Sequence, residues 1–149
     1  MGRLYATERS PKPLTQALCW SHARRKFFEL ADIAQSARRG KNAAPISPMA
    51  LEAVKRIDAL FDIERAVNGL SADDRLAIRQ EKSLPLLAEL ETWMRTERAR
   101  LSRHAPVAKA MDYMLTKWDS FACFTTDGRV CLTNNAAERA LRGLALGRR

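Results

Sequence analysis

Near the end of the chain a single carboxylate, Glu138, is set among cations: Arg139 follows it and Arg142 comes one turn later. Such a group can hold a hard divalent ion or accept hydrogen bonds, and its neighbours decide which. It lies in Asn134-Asn135-Ala136-Ala137-Glu138-Arg139-Ala140-Leu141-Arg142, directly after the β-type run Val130-Cys131-Leu132-Thr133. Asn135 has the short polar side chain preferred at a helix N-cap, which makes Ala136 the first helical position and Glu138 the third. A carboxylate there can bond back to the cap amide and feels the positive end of the helix dipole. Local spacing by itself reads as a capping box, with a metal ligand as the alternative.

The other chemistry-bearing segment is Cys19-Trp20-Ser21-His22-Ala23-Arg24-Arg25-Lys26. Cys19 and His22 have the two-residue gap that can open a zinc site, yet a structural site needs four ligands and the only other histidine is His104. Zinc is therefore not expected. Arg24, Arg25 and Lys26 stand where the helix dipole disfavours positive charge, so they face solvent or answer an anion.

These two segments, NNAAERALRGLALGRR and CWSHARRKFFELADI, resemble the transposase of the insertion sequence 66 family. The pieces between them, SPMALEAVKRIDALFDIERAVNGLSADDRLAIRQEKSLPLLAELETWM and KAMDYMLTKWDSFACFTTDGRVCLTNN, are similar to that family as well, so the likeness covers essentially the whole chain. The resemblance implies a ribonuclease H-like fold in which the Glu of the Asn-Asn-x-x-Glu-Arg motif is the last member of a DDE metal-binding triad. The matching residue is Glu138. The family's two catalytic aspartates lie upstream of the Cys-Trp-x-His segment, and no residue of this chain matches either. Two-metal phosphoryl transfer needs several carboxylates to hold ions about 3.5–4 Å apart, so one glutamate does not suffice. Mg²⁺ or Mn²⁺ is expected in the complete enzyme, with no tight binding by this chain. Two departures stand out: Thr133 replaces the usual acid before the Asn pair, and Gly143 replaces the usual Pro after Arg142, which loosens the end of that helix.

Composition points to the same class of partner. Of 149 residues 46% are apolar and 29% charged, an ordinary globular balance long enough for a real core. Lys and Arg outnumber Asp and Glu by 26 to 17, giving +9 and a pI near 10.1. That excess favours a polyanion through counterion release from phosphates. The cations cluster at Arg24-Arg25-Lys26, at Arg38, Arg39 and Lys41, and at Arg139, Arg142, Arg148 and Arg149. DNA is the expected partner, with His22, Arg24, Arg25, Lys26, Arg139 and Arg142 as candidate contacts; for His22 a buried structural role is favoured. Other transposase chains or accessory proteins of the element are further possible partners. Cysteines 19, 123 and 131 form no regular framework, no apolar-core leader is seen, and no apolar run approaches the roughly 20 residues needed to cross a bilayer. A cytoplasmic protein with reduced thiols and no membrane association is expected.

The elements that must position these residues are mostly helical. After a loop over 1–13, Leu14 to Trp20 can form a short buried strand. Ser21 then caps a helix that buries Ala23, Phe27, Leu30, Ala31 and Ala34 and ends at Arg38-Arg39-Gly40. A polar link leads to Ser47-Pro48, an N-cap with proline at the first helical position. The next helix buries Leu51, Val54, Ile57, Leu60, Phe61 and Val67 and stops at Gly69. Ser71-Ala72-Asp73-Asp74 starts another, which Pro85 should kink or split before the stripe Leu86, Leu87, Leu90, Trp93, Met94 and Leu101. After a break at Ser102–Pro106, one helix from Val107 to about Phe124 turns Met111, Met114, Leu115, Trp118 and Phe121 inward, and Asp127-Gly128 marks a tight turn before the strand Val130–Thr133.

The expected fold is thus mostly α with a minor β component: a truncated ribonuclease H-like α/β fold, residues 1–40 and 105–149, carrying an all-helical insertion over 41–104. The expected function is that of a fragment of a DDE transposase, which cleaves and transfers DNA strands, inactive alone for want of both aspartates. The alternatives are a non-catalytic DNA-binding or interaction remnant, and one half of a split transposase.

Overall fold

The structure, a computed structural model, describes residues 15–31 and 47–133. Helix α1 (Trp20–Ala31) buries Trp20, Ala23, Phe27 and Ala31, a repeat of three and four residues that lays one stripe on the core. Helix α2 (Pro48–Ala66) begins as its sequence prescribes: the Ser47 hydroxyl accepts the Ala50 N–H at 3.2 Å and Pro48 occupies the first turn. It ends at Val67, and Gly69 takes φ +87°, a left-handed value that suits glycine and lets the chain reverse. Ser71 caps α3 (Ala72–Ile78) by accepting the Asp74 N–H at 3.1 Å.

Between α3 and α4 (Leu84–Arg100) the helix does not stop. It passes through a π-helical turn, Arg79–Ser83, which ends two residues before Pro85. Pro85 has no N–H for the carbonyl four residues back and its ring crowds that carbonyl; a widened turn absorbs both effects without breaking the rod. Helix α5 (Pro106–Thr116) follows the expected break, again with proline in its first turn. The single helix expected from Val107 to Phe124 is instead interrupted: at Lys117 the backbone leaves helical values (φ −119°, ψ 26°), and α6 (Trp118–Ala122) and a 3₁₀ turn (Cys123–Thr125) follow. The interruption brings Trp118, Phe121 and Phe124 together around Trp20.

The core is one cluster drawn from α1, α2, α4, α5, α6, Phe124 of the 3₁₀ turn and Leu132, so all three parts of the chain distinguished in the sequence contribute to it. Trp20 is its centre. The indole is fully buried and meets Phe121, Trp118 and Phe124 edge to face at 5.3, 6.1 and 6.3 Å. Edge-to-face pairs of this kind add about 0.5–1.5 kcal/mol each to the gain from burial.

The expected β component is not present among the described residues. Residues 15–19 and 130–133 are irregular, and α1 starts at Trp20, one residue before the expected cap Ser21. A strand needs a partner along its length, and here each segment finds only isolated bonds: Leu18 N–H to the Ser120 carbonyl at 3.0 Å and Trp20 N–H to the Leu132 carbonyl at 3.1 Å. Apolar content drove burial of Cys19, Trp20 and Leu132 without a ladder. No helix among the described residues is long and apolar enough to cross a membrane.

Candidate functional site

The two chemistry-bearing segments are more than a hundred residues apart in the chain, and one backbone bond ties the first of them to the stretch that precedes the second: the first residue of α1, Trp20, donates to Leu132, two residues before Asn134. The Trp20 indole adds a second tie, donating to the Phe121 carbonyl at 2.9 Å. The start of α1 is thereby held beside the approach to the Asn-Asn-x-x-Glu-Arg motif.

On α1 the four candidate contacts part company. Arg24 is engaged: its Nε and Nη2 reach both oxygens of Asp58 on α2 at 2.5 and 2.9 Å, and its guanidinium lies 5.3 Å from the Phe28 ring centre. The hydrogen bond from Asp58 raises the Arg24 pKa above its ordinary value against the opposing effect of burial. Arg25 and Lys26 are exposed, and the Lys26 ammonium sits 5.3 Å from the centre of the Tyr113 ring on α5. His22 is exposed as well, against the expectation of a buried histidine, because it falls opposite the stripe of Trp20, Ala23 and Phe27. A shallow cavity of about 400 Å³ opens between α1 and α2, lined by Arg24, Arg25, Arg65, Phe28, Phe61 and Asp58.

Sequence reasoning missed Arg79. It is fully buried, and its Nε and Nη2 pair with both oxygens of Glu64 at 3.1 and 2.5 Å. Its Nη1 turns the other way, donating to the carbonyls of Phe124 (3.1 Å), Gly128 (3.4 Å) and Val130 (2.9 Å). A signal was available. Followed backwards from Met94, Leu90 and Leu87, the buried stripe lands on Ser83 and Arg79 in steps of four, and both are buried. The same loop is closed by Asp127, whose carboxylate accepts the Arg129 N–H at 2.9 Å and the Arg129 guanidinium at 2.7 Å. The Arg129 side chain, then its backbone N–H, hold the Asp127 carboxyl down at about 2. Gly128 is required by contact: a Cβ there would lie 1.8 Å from the Ala72 carbonyl oxygen.

Glu138, Arg139 and Arg142 lie outside the described residues, as do Asn135 and the cluster Arg38, Arg39 and Lys41. Among the described residues no group of three or more His, Cys, Asp or Glu could hold a metal ion, so these residues do not fit a divalent-metal site. Cys19 and Cys123 are buried and Cys131 is exposed, and burial pushes the Cys123 thiol up.

The family model for the IS66 family of transposases matches residues 3–149. The chain belongs to the IS66 transposase family. It is 64% identical over 138 residues to the uncharacterized protein y4hP of Sinorhizobium fredii (strain NBRC 101917 / NGR234), covering 92% of this chain and 25% of the relative. Two further proteins of that strain, y4jD and y4qI, also uncharacterized, are 33% and 30% identical over 92% and 100% of this chain, and 25% and 26% of their own lengths. This IS66 family chain therefore spans about a quarter of the curated relatives it matches. No solved structure matches it. Its charge is unevenly placed: residues 47–133 carry thirteen Lys and Arg against thirteen Asp and Glu, so the whole excess of +9 resides in 1–46 and 134–149.

Proposed function

We propose that this chain is the segment of a DDE transposase that supplies the triad glutamate, Glu138, and the helical insertion, within a ribonuclease H-like catalytic domain acting on DNA in the cytoplasm. The observation that carries the reading is the Trp20–Leu132 backbone bond, which ties the first family segment to the residues that lead into the second although 112 positions separate the bonded pair. In the complete site Glu138 would be one ligand of Mg²⁺ or Mn²⁺, which supplies Lewis-acid chemistry at the scissile phosphodiester. The chain's own part is to carry the glutamate and to hold DNA. Arg25 and Lys26 on α1, and Arg139 and Arg142 beside the glutamate, contact phosphates, whereas Arg24 braces α1 against α2.

No residue matches either family aspartate, so the chain by itself does not cut DNA. With supercoiled DNA and Mg²⁺ or Mn²⁺ the purified protein should give no nicking above a Glu138→Ala control. In a full-length family transposase carrying this chain's residues in the matching quarter, Glu138→Gln should abolish strand cleavage and leave the melting temperature without metal unchanged. A helix cap would tolerate Gln, whose amide also reaches the cap N–H, and retained cleavage would return Glu138 to that role. A non-catalytic DNA-binding protein, or one half of a split transposase, would share the basic flanks; the Glu138→Gln result separates the first of these from the catalytic reading.

A further inference from the structure

We infer that Arg79 is a positioning residue through which the helical insertion sets the approach to the glutamate motif against α1; this rests on the reading of residues 134–142 as the functional segment. The guanidinium is a planar fork whose donors are spent in two directions. One side is anchored by Glu64 of α2, and the other gathers three carbonyls spread over seven residues of the loop 124–130. Those carbonyls face different elements in an ordinary loop. Collecting them on one cation curls 124–130 around Arg79, and the Phe124 ring, 5.4 Å from the guanidinium carbon, closes the shell. Two residues beyond the last of them, the Leu132 carbonyl takes the Trp20 N–H. A continuous line of contacts runs from α2 through Arg79 and the loop to the start of α1.

The π-helical turn belongs to this device. It begins at Arg79 itself, where one extra residue in the turn aims the side chain inward while α4 keeps its own stripe of Leu87, Leu90 and Met94 on the core. Gly128 lets the loop press against the Ala72 carbonyl at the N-terminus of α3, so the loop is fixed from two sides of one helical rod. Lysine cannot replace the arginine. A single ammonium carries the charge for Glu64 but does not span from the carboxylate to three carbonyls.

The experiment reads position and chemistry separately. Cys131 is an exposed thiol adjoining Val130, while Cys19 and Cys123 are buried, so a nitroxide attached to the folded protein reports on the held loop. A second label at Ser102→Cys, in a Cys131→Ser background, reports on the remote break between α4 and α5. In Arg79→Lys the label at 131 should become markedly more mobile, with the label at 102 and the far-ultraviolet spectrum unchanged. Should Arg79→Lys fail to fold, Glu64→Gln, which retains the arginine with an amide partner, serves in its place and should loosen 131 alone. A label at 131 as immobile as in the parent, or equal loosening at 102, overturns the inference. In the full-length family transposase carrying this chain's residues, Arg79→Lys should lower the rate constant for cleavage at saturating DNA by tenfold or more while DNA affinity stays within twofold, because a small displacement of a reacting group costs rate and not binding. Unchanged cleavage overturns it as well. Failure of the catalytic reading would show instead in Glu138→Gln, which the labels do not involve.

Discussion

Arg24 and Arg25 are neighbours in the chain and do different work. Arg24 forms a two-pronged bond to Asp58 and covers Phe28, so Arg24→Ala should lower stability by about 1 kcal/mol, the upper end for a partly exposed pair. Arg25→Ala should leave the melting temperature unchanged and weaken DNA binding, reducing the slope of log affinity against log salt by about 0.9 for the lost phosphate contact. Thermal melts and salt titrations of the two variants check both halves. Asp127 makes a pH prediction. Its folded pKa, about 2, lies below the ordinary 3.8, so the Asp127–Arg129 turn stabilises the protein above pH 4 and that contribution is lost as pH falls from about 4 towards 2. Asp127→Asn should therefore cost stability at pH 6 and next to nothing at pH 2, read by urea unfolding at both values.

At the scale of elements, the π-helical turn is what lets one continuous rod from α3 to α4 satisfy two demands. Each residue added to or removed from a helix rotates everything beyond it by about 100°. Deleting the exposed Gln80 should regularise the turn, preserve the helical signal by circular dichroism, and swing Arg79 away from Glu64 and the loop carbonyls. The expected loss is about 3–5 kcal/mol, that of breaking a buried charge pair, seen as a large drop in melting temperature. Gln80→Ala, which keeps the register, should melt like the parent. The interruption at Lys117 has the same logic in a gentler form, since a straight helix from Val107 to Phe124 could not bring Trp118, Phe121 and Phe124 around one indole.

For the whole molecule, the helical body over 47–133 is electrically balanced and the excess positive charge lies in the segments around it. DNA affinity should follow that division. Charge reversal at Arg148 and Arg149 should weaken binding and flatten its salt dependence, while reversal at Lys55 and Lys109, exposed on α2 and α5, should change affinity by less than about twofold by filter binding at 50 mM salt. Loss of affinity from Lys55 and Lys109 would place the footprint on the helical body instead.

How far the chain could be read follows from the range of the forces involved. Caps, proline starts, the reversal at Gly69 and the stripes of α2 and α4 rest on spacing within a turn or two, so Ser47, Ser71 and Pro48 act in the structure as their local sequence prescribes. Family membership was legible for the same reason: short motifs carry it. Strand and buried apolar coil have the same composition, and only the neighbours a segment meets decide between them; Cys19 and Leu132 found a helix end and a single backbone bond in place of a ladder. The pairings Arg24–Asp58 and Arg79–Glu64 join residues 34 and 15 apart; the stripe of α4 followed backwards marks Arg79 as facing inward, but nothing local names the partner of either arginine. Arg79 is the clearest case. Spacing puts this one cation of 26 on the inner face of its helix, and only the packing of α2, the π-helical turn and the loop 124–130 supplies the carboxylate and the carbonyls it bonds there.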